Sequence, residues 1–221
     1  MNRSIAIDGP AGAGKSTVAR ALAQKLQLIY VDTGAMYRVL ALYCNDSGID
    51  IHDTAEVTKN VYKPTIRLAN SENGQQIFLD GEDVTELIRT NEIGDAASVV
   101  STYPEVRSRL VEMQQEIAAK NDVVMDGRDI GTVVMPDAYL KIFLTADARE
   151  RAKRRVGELA GKGIEADIDE VEKEIKERDR RDANREVSPL RQAEDAVLVD
   201  TTHMTVEEAV EEITKLYMER L

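Results

Sequence analysis

Gly9-Pro10-Ala11-Gly12-Ala13-Gly14-Lys15-Ser16, with Thr17 behind it, fits the pattern GxxxxGK[ST] and follows directly on the apolar run Ser4-Ile5-Ala6-Ile7-Asp8. The placement decides the fold. A strand that feeds a glycine-rich turn, which in turn opens a helix, aims backbone N–H groups and a positive helix end at one bound anion. In such a loop Lys15 reaches the outer phosphates of a nucleotide and Ser16 holds a magnesium ion. With glycine at average usage, the four specified positions match by accident on the order of once in 100 chains of this length. The residues that follow place Val18, Leu22 and Leu26 on one stripe, the spacing of a helix packed on a core.

Working outward, five short apolar runs read as core strands: Ser4 to Asp8, Ile29 to Asp32, Val123 to Asp126, Tyr139 to Leu144 and Ala196 to Asp200. Helical patterns separate them. That alternation predicts an α/β fold with a five-stranded, mainly parallel sheet covered on both faces and ligands at the carboxyl ends of its strands. Asp8, Asp32 and Asp126 are among the aspartates that end these runs at that rim.

Two intervals are longer than a simple crossover requires. In the first, Thr65 to Ala69 and Gln76 to Asp80 flank Asn73-Gly74 and read as a hairpin, which predicts a small antiparallel lobe inserted over 50–95. The second, 151–185, carries two helices around Gly161-Lys162-Gly163. Its acids, Glu165 to Glu174, precede its cations, Lys176 to Arg185. It is a solvated helical hairpin or a lid whose arginines close on phosphates, and the arginine excess at the end nearer the sheet favours the lid. The core then comprises 1–49, 96–150 and 186–221.

Composition excludes several classes. The chain has 221 residues, 43% hydrophobic, enough for one sizeable core, and no apolar stretch long enough to cross a bilayer. With no leader pattern visible, a cytoplasmic protein without membrane partners is expected. A net charge of −12 argues against binding a nucleic-acid polymer. Locally the sign reverses: Arg149, Arg151, Lys153, Arg154 and Arg155 against Glu150 give +4, either a solvated helix face or a cationic rim at a phosphate site. Cys44, the single cysteine, lies in an apolar helical segment and reads as packing. His52 and His203 lack a second metal-type ligand at suitable spacing.

The phosphate loop alone does not separate a nucleotide switch from a kinase. A guanine-specific switch would carry Asn-Lys-x-Asp, which this chain lacks. Instead Val123-Val124-Met125-Asp126-Gly127-Arg128-Asp129 ends a strand on a carboxylate suited to orienting magnesium-bound water, with Arg128 just beyond. Phosphoryl transfer needs convergent cations more than covalent chemistry, and Lys15, Arg38, Arg128, Arg178, Arg181 and Arg185 are the candidates. An acceptor phosphate, with a second pKa near ~6, needs no strong general base.

Four motifs carry a resemblance. Gly9 to Thr17, Asp32-Thr33-Gly34-Ala35-Met36-Tyr37-Arg38, Asp126-Gly127-Arg128-Asp129-Ile130-Gly131-Thr132-Val133-Val134, and Lys176 to Asp182 with Asn184-Arg185 closely resemble the bacterial cytidylate kinases, essentially end to end. Adenylate, thymidylate and shikimate kinases share only the core. The resemblance implies a nucleoside monophosphate kinase that transfers the terminal phosphoryl of ATP, with Mg2+, to CMP or dCMP, and works as a monomer. It implies that Arg38, Arg128 and Arg185 hold the acceptor phosphate, that Arg178 and Asp182 bind the pentose, and that Thr33 and Tyr37 line the acceptor site. Serine is commoner in the family where Thr33 stands, and the hydroxyl is kept.

Asp129 and Arg107 match the family positions that read cytosine, with Ser98 a further polar contact. A carboxylate accepting from the cytosine amino group is a known pairing. Uracil would set a carbonyl against Asp129, so CMP should be preferred. Taken singly, Asp129 reads equally as a helix cap, Arg107 as a surface residue of the helix that starts near Pro104, and Arg178, Arg181, Asp182 and Arg185 as helix salt bridges. Another small-molecule kinase of the same core, one accepting UMP as well, or a nucleotide switch are the competing expectations.

Overall fold

The run that leads into the glycine loop is buried from Ser4 to Asp8, as a strand covered on both faces must be. In the computed structural model, which describes residues 3–71, 74–161 and 163–220, it forms β1 (Ile5–Asp8). Chain contacts divide the molecule into two compact units, 1–28 with 122–221, and 29–121.

In the first unit, α1 (Lys15–Leu26) follows the loop, and β6 (Val123–Gly127), β7 (Leu140–Thr145) and β8 (Val197–Asp200) complete its share of the sheet. β1 pairs in parallel with β6 on one side and β7 on the other, and β7 pairs in parallel with β8. With β2 (Ile29–Asp32) the sheet has five strands in the order β2-β6-β1-β7-β8. The five apolar runs are thus the five strands. Val18 and Leu22 of the α1 stripe are buried.

α6 (Ala148–Ala160) and α7 (Ile168–Ala183) form the helical hairpin, and α8 (Val206–Met218) ends the chain. Asp147 and Asp167 accept backbone N–H bonds at the starts of α6 and α7, which fixes where each helix begins. Between the two helices Ala152, Val171 and Ile175 form a buried apolar cluster, with Val156, Ala166 and Ile168 packed against it. Lys162 lies outside the described residues.

The second unit carries α2 (Thr33–Asp46), α3 (Thr54–Asn60), β3 (Ile66–Ser71), β4 (Gly74–Leu79), β5 (Glu82–Asp83), α4 (Asn91–Val100) and α5 (Pro104–Lys120). The expected hairpin is β3 and β4, antiparallel, with Ser71 opposite Gly74. Asn73 lies outside the described residues, and Gly74 is the first residue of β4 rather than part of the turn. β5 adds a third strand, too short to show alternation. The unit is wider than the segment 50–95, because Met36, Val39 and Leu40 of α2, Ala97 and Val100 of α4, and Val106 and Leu110 of α5 share one core with Val57 and Ile77.

Candidate active site

The glycine loop takes its shape from backbone that only glycine tolerates. Gly9 has φ +149°, and a Cβ there would lie 1.9 Å from the Leu144 carbonyl oxygen. Gly12 and Gly14 adopt φ +72° and +87°. Lys15 opens α1, and its side chain turns back so that Nζ donates to the Pro10 carbonyl at 2.7 Å. Burial, and then the charge of Arg128, push the Lys15 ammonium down to about 7; Asp126 and Asp8 act in the opposite sense and Arg178 adds to the depression. Three cations therefore converge on this loop.

Ser16 Oγ donates to Asp126 Oδ2 at 2.8 Å, so the hydroxyl of α1 meets the carboxylate at the end of β6. Two hard oxygen donors side by side suit a magnesium ion that keeps most of its own water. Thr17 is exposed, on the first turn of α1.

Beyond β6, Arg128 Nε donates to Asp182 Oδ2 of α7 at 2.8 Å, and Arg185 Nη2 donates to Asp182 Oδ1. Asp182 is 1% exposed. Burial alone would raise its pKa, but Arg128 and Arg185 outweigh that and hold the carboxyl below its ordinary range. Asp182 thus serves as the counter-ion that keeps two candidate phosphate-binding arginines together. Arg178 is half-buried on α7 and acts on both Lys15 and Asp182, whereas Arg181 is exposed on the same helix. Asp129 is buried and precedes a single π-helical turn, Ile130–Val134, yet its side chain makes no capping bond to that turn.

The remaining candidates lie in the second unit. Asp32 accepts from Ala35 N at 2.9 Å and so sets the start of α2, whose first residue, Thr33, is buried. One turn further on, Tyr37 and Arg38 are half-buried. Arg38 lies beside Gly94 of α4, its guanidinium 3.9 Å from where a Cβ at that position would stand, an ordinary contact distance. Arg107 is no surface residue: it is 2% exposed, donates to the Ser101 carbonyl at 3.2 Å, and sets its guanidinium 5.5 Å from the centre of the Tyr37 ring. Ser98 is buried and its carbonyl accepts from Ser101 Oγ at 3.0 Å. Tyr37, Ser98 and Arg107 therefore belong to one polar patch within this unit's core.

Three residues of the first unit hold backbone in place without having been singled out for that work, two of them at the glycine loop and one at the turn after β6. Arg151 of α6, 6% exposed, donates to the carbonyls of Ala146 at 2.9 Å and Ala11 at 2.7 Å and pairs with Asp179 at 2.6 Å. Asp179 of α7 accepts from Ala11 N at 3.0 Å. Both polar groups of the Ala11 backbone are pinned by one ion pair. The third is Asp8, which accepts from the N–H groups of Ile130 at 2.8 Å and Gly131 at 2.7 Å. Asp179 stands between Arg178 and Arg180 in a charged run, so the sequence offers little to distinguish it.

The cationic cluster on α6 is largely neutralised. Arg149 pairs with Asp169 and Glu172, Arg151 with Asp179, Lys153 with Glu150 and Arg155 with Glu158. Most of it is the charged helix face rather than an open rim. Arg154 differs, donating to the Thr201 carbonyl at 2.5 Å. Cys44 is 1% exposed, and burial pushes its thiol up to about 11, which suits packing and not nucleophilic attack.

Comparison with known proteins agrees with this geometry. The family model for cytidylate kinase matches residues 5–219. A cytidylate kinase of Carboxydothermus hydrogenoformans is 52% identical over 212 residues, covering 96% of each chain. One from Shouchella clausii is 48% identical over 98% of this chain and 96% of its own. Among solved structures, an uncharacterised protein from Eubacterium ventriosum superposes with a TM-score of 0.54 at 16% identity, covering 99% of both chains. A shikimate kinase from Acinetobacter baumannii in complex with shikimate gives 0.50 at 15%, covering 99% of this chain and 94% of its own. The structural likenesses bear on the fold alone, but the match along nearly the whole sequence is decisive: the chain belongs to the cytidylate kinase family.

Proposed function

We propose that this protein transfers the terminal phosphoryl group of ATP to CMP and dCMP, releasing ADP with CDP or dCDP. The observation that carries the reading is the gathering of positive charge on the glycine loop, where burial, Arg128 and Arg178 push Lys15 to about 7. A site that stresses its own ammonium in this way is complementary to phosphates, whose arrival restores the charged form.

Gly9 to Thr17 bind the donor phosphates through loop and helix N–H groups, and Lys15 places its charge on the group to be moved. Ser16 and, through water, Asp126 hold magnesium, which when bound draws charge from the donor's outer oxygens. Arg38, Arg128 and Arg185 hold the acceptor phosphate, Arg178 and Asp182 the pentose, and Arg178 and Arg181 shield charge during transfer. Thr33, Tyr37, Ser98, Arg107 and Asp129 line the acceptor base, with Arg107 and Asp129 reading cytosine. The acceptor is already dianionic, so no side chain removes a proton.

The segment 50–95 serves acceptor binding and 151–185 is a lid that excludes water during transfer. The lid reading is supported by charged contacts that tie α7 to the core, Asp179 on Ala11 and Asp182 on Arg128, which phosphates can replace. The protein acts as a cytoplasmic monomer.

The test is product formation from magnesium-ATP with CMP, dCMP, UMP, AMP and shikimate offered separately, ADP and acceptor products being resolved by chromatography. CDP and dCDP, each in proportion to ADP, are expected. Equal formation of UDP would remove the assignment of Arg107 and Asp129, and ADP formation indifferent to acceptor would remove the kinase reading.

A further inference from the structure

Strand β4 carries one polar residue on the face it turns to the core. Alternation puts Gln75, Ile77 and Leu79 on one side of the strand; Ile77 lies in the apolar core of the second unit and Leu79 packs against it. An amide on that face must find partners. Gln75 finds both on β2: its Nε2 donates to the Tyr30 carbonyl at 2.7 Å, and its Oε1 accepts from Asp32 N at 3.1 Å. The pattern is that of a strand. In a parallel pair one residue donates its N–H to the carbonyl before its opposite number and accepts, at its own carbonyl, from the N–H after it. The Gln75 amide makes those two bonds about Val31, and so stands where the backbone of one further parallel strand would stand beside β2, the terminal strand of the sheet order.

We infer that Gln75 is a positioning residue for the acceptor nucleotide, because its amide fixes the residue at which β2 turns into α2. Asp32, whose N–H it holds, is also the cap of α2, with its carboxylate accepting from Ala35 N at 2.9 Å. One end of that residue is tied to β4 and the other to the helix. Thr33 follows directly, and Tyr37 and Arg38 stand one turn further on. The inference rests on the acceptor-site roles proposed for those three. A rigid helix carries a displacement of its first residue to every side chain along it, and a binding constellation tolerates only about 0.5 Å of error. Gln75 pairs across the hairpin with Asn70 of β3, so the constraint on α2 comes from the body of the β3–β4 hairpin and not from a loose loop.

Gln75→Met keeps the length of the side chain and loses both bonds. The expected result is kcat/KM for CMP lowered about tenfold, within the worth of two neutral hydrogen bonds, with KM for ATP changed less than about twofold. Gln75→Glu supplies a readout that a merely structural role would not move. Ionised, its carboxylate accepts from Asp32 N but sets a second oxygen against the Tyr30 carbonyl. Protonated, it offers one O–H donor and one acceptor, the same pair as the amide. Its carboxyl, ordinarily near ~4.3, is raised by facing that carbonyl away from water. CMP affinity of Gln75→Glu, read by calorimetry and divided by that of Gln75→Met, should therefore rise about fivefold or more as pH falls from about 8 to about 5.5. Taking the ratio cancels the titration of the CMP phosphate and of groups common to both variants, Asp32 among them.

An unaltered kcat/KM for CMP in Gln75→Met would overturn the inference and leave Gln75 a residue that only covers a strand edge. KM for ATP raised in step with that for CMP would overturn it as well, and so would a ratio of the two variants that does not change with pH. Should Gln75→Met fail to fold, the unaltered protein takes its place in the ratio and Gln75→Glu decides alone. Arg38→Ala separates the inference from the reading beneath it. If Arg38→Ala weakens CMP binding while the Gln75 variants bind CMP normally, the positioning role alone falls. If CMP binding survives Arg38→Ala unchanged, the acceptor role of α2 and the inference fall together.

Discussion

Lys15 should take up a proton when the donor nucleotide binds. Its ammonium is pushed down to about 7 by burial and by Arg128, and at pH 8 a group with that pKa is about nine-tenths unprotonated. Phosphates beside it favour the charged form and return the pKa towards its ordinary range. Binding of magnesium-ATP at pH 8 should therefore absorb about 0.9 proton per site, the outer phosphate being itself almost fully ionised at that pH. The sign follows from the same count: above pH 7 the complex holds more protons than the free protein, so affinity falls as pH rises, approaching about tenfold per unit. Calorimetric titration of magnesium-ATP at pH 8 in Hepes and in Tris, whose ionisation enthalpies differ, reads the uptake as a difference in heat. Lys15→Arg, which cannot lose its proton, should bind with heats independent of buffer. Buffer-independent heats in the unaltered protein, or the same uptake in Lys15→Arg, would refute the argument that the loop stresses its lysine.

Gly9→Ala forces a Cβ to 1.9 Å from the Leu144 carbonyl oxygen and should lower stability by more than about 3 kcal/mol in urea unfolding, a size kept for strained or overpacked sites. Asp182→Asn strips the shared counter-ion from Arg128 and Arg185 and should lower stability by about 3 kcal/mol, partly regained on adding CMP if those arginines hold its phosphate. Because the Asp182 pKa is depressed below 3.8, that contribution is complete at neutral pH and is lost only as pH falls through the depressed value. Arg151→Lys keeps the charge but cannot serve Ala11, Ala146 and Asp179 together, so steady-state kinetics should show KM for ATP raised about tenfold with kcat less affected. Cys44 should resist maleimide in the folded protein and react once urea exposes it, which mass spectrometry reads directly.

The sheet was legible because its strands are buried on both faces, and burial of that kind leaves unbroken apolar runs such as Ile5-Ala6-Ile7 and Val123-Val124-Met125. β5, two exposed residues that extend a hairpin, leaves no such trace. The span of the second unit was less legible for another reason. Its core is assembled from α2, α4 and α5 as well as from the hairpin, and a run of residues does not state which core its apolar face joins. The cluster around Arg151 shows the limit for charge: summed along the sequence it is +4, yet Asp169, Glu172 and Asp179 come from α7 to pair with it.

The same limit explains Asp8, whose partners lie more than a hundred residues away and are backbone N–H groups, which every residue but proline possesses. A motif records side chains that ligands select, but not a carboxylate that caps a turn from a neighbouring strand. Asp182 joins both kinds of role. It reads as a pentose ligand in the α7 motif, and in the structure it is the anion between Arg128 and Arg185. Two half-buried arginines that share one carboxylate would repel each other without it, and Asp182 on α7 relieves that repulsion. On the function proposed above, an acceptor phosphate would take over part of the neutralisation and release Asp182 towards the sugar. One contact of α7 would thereby be exchanged for another, so that a lid at 151–185 would respond to the acceptor's charge and not merely to its presence.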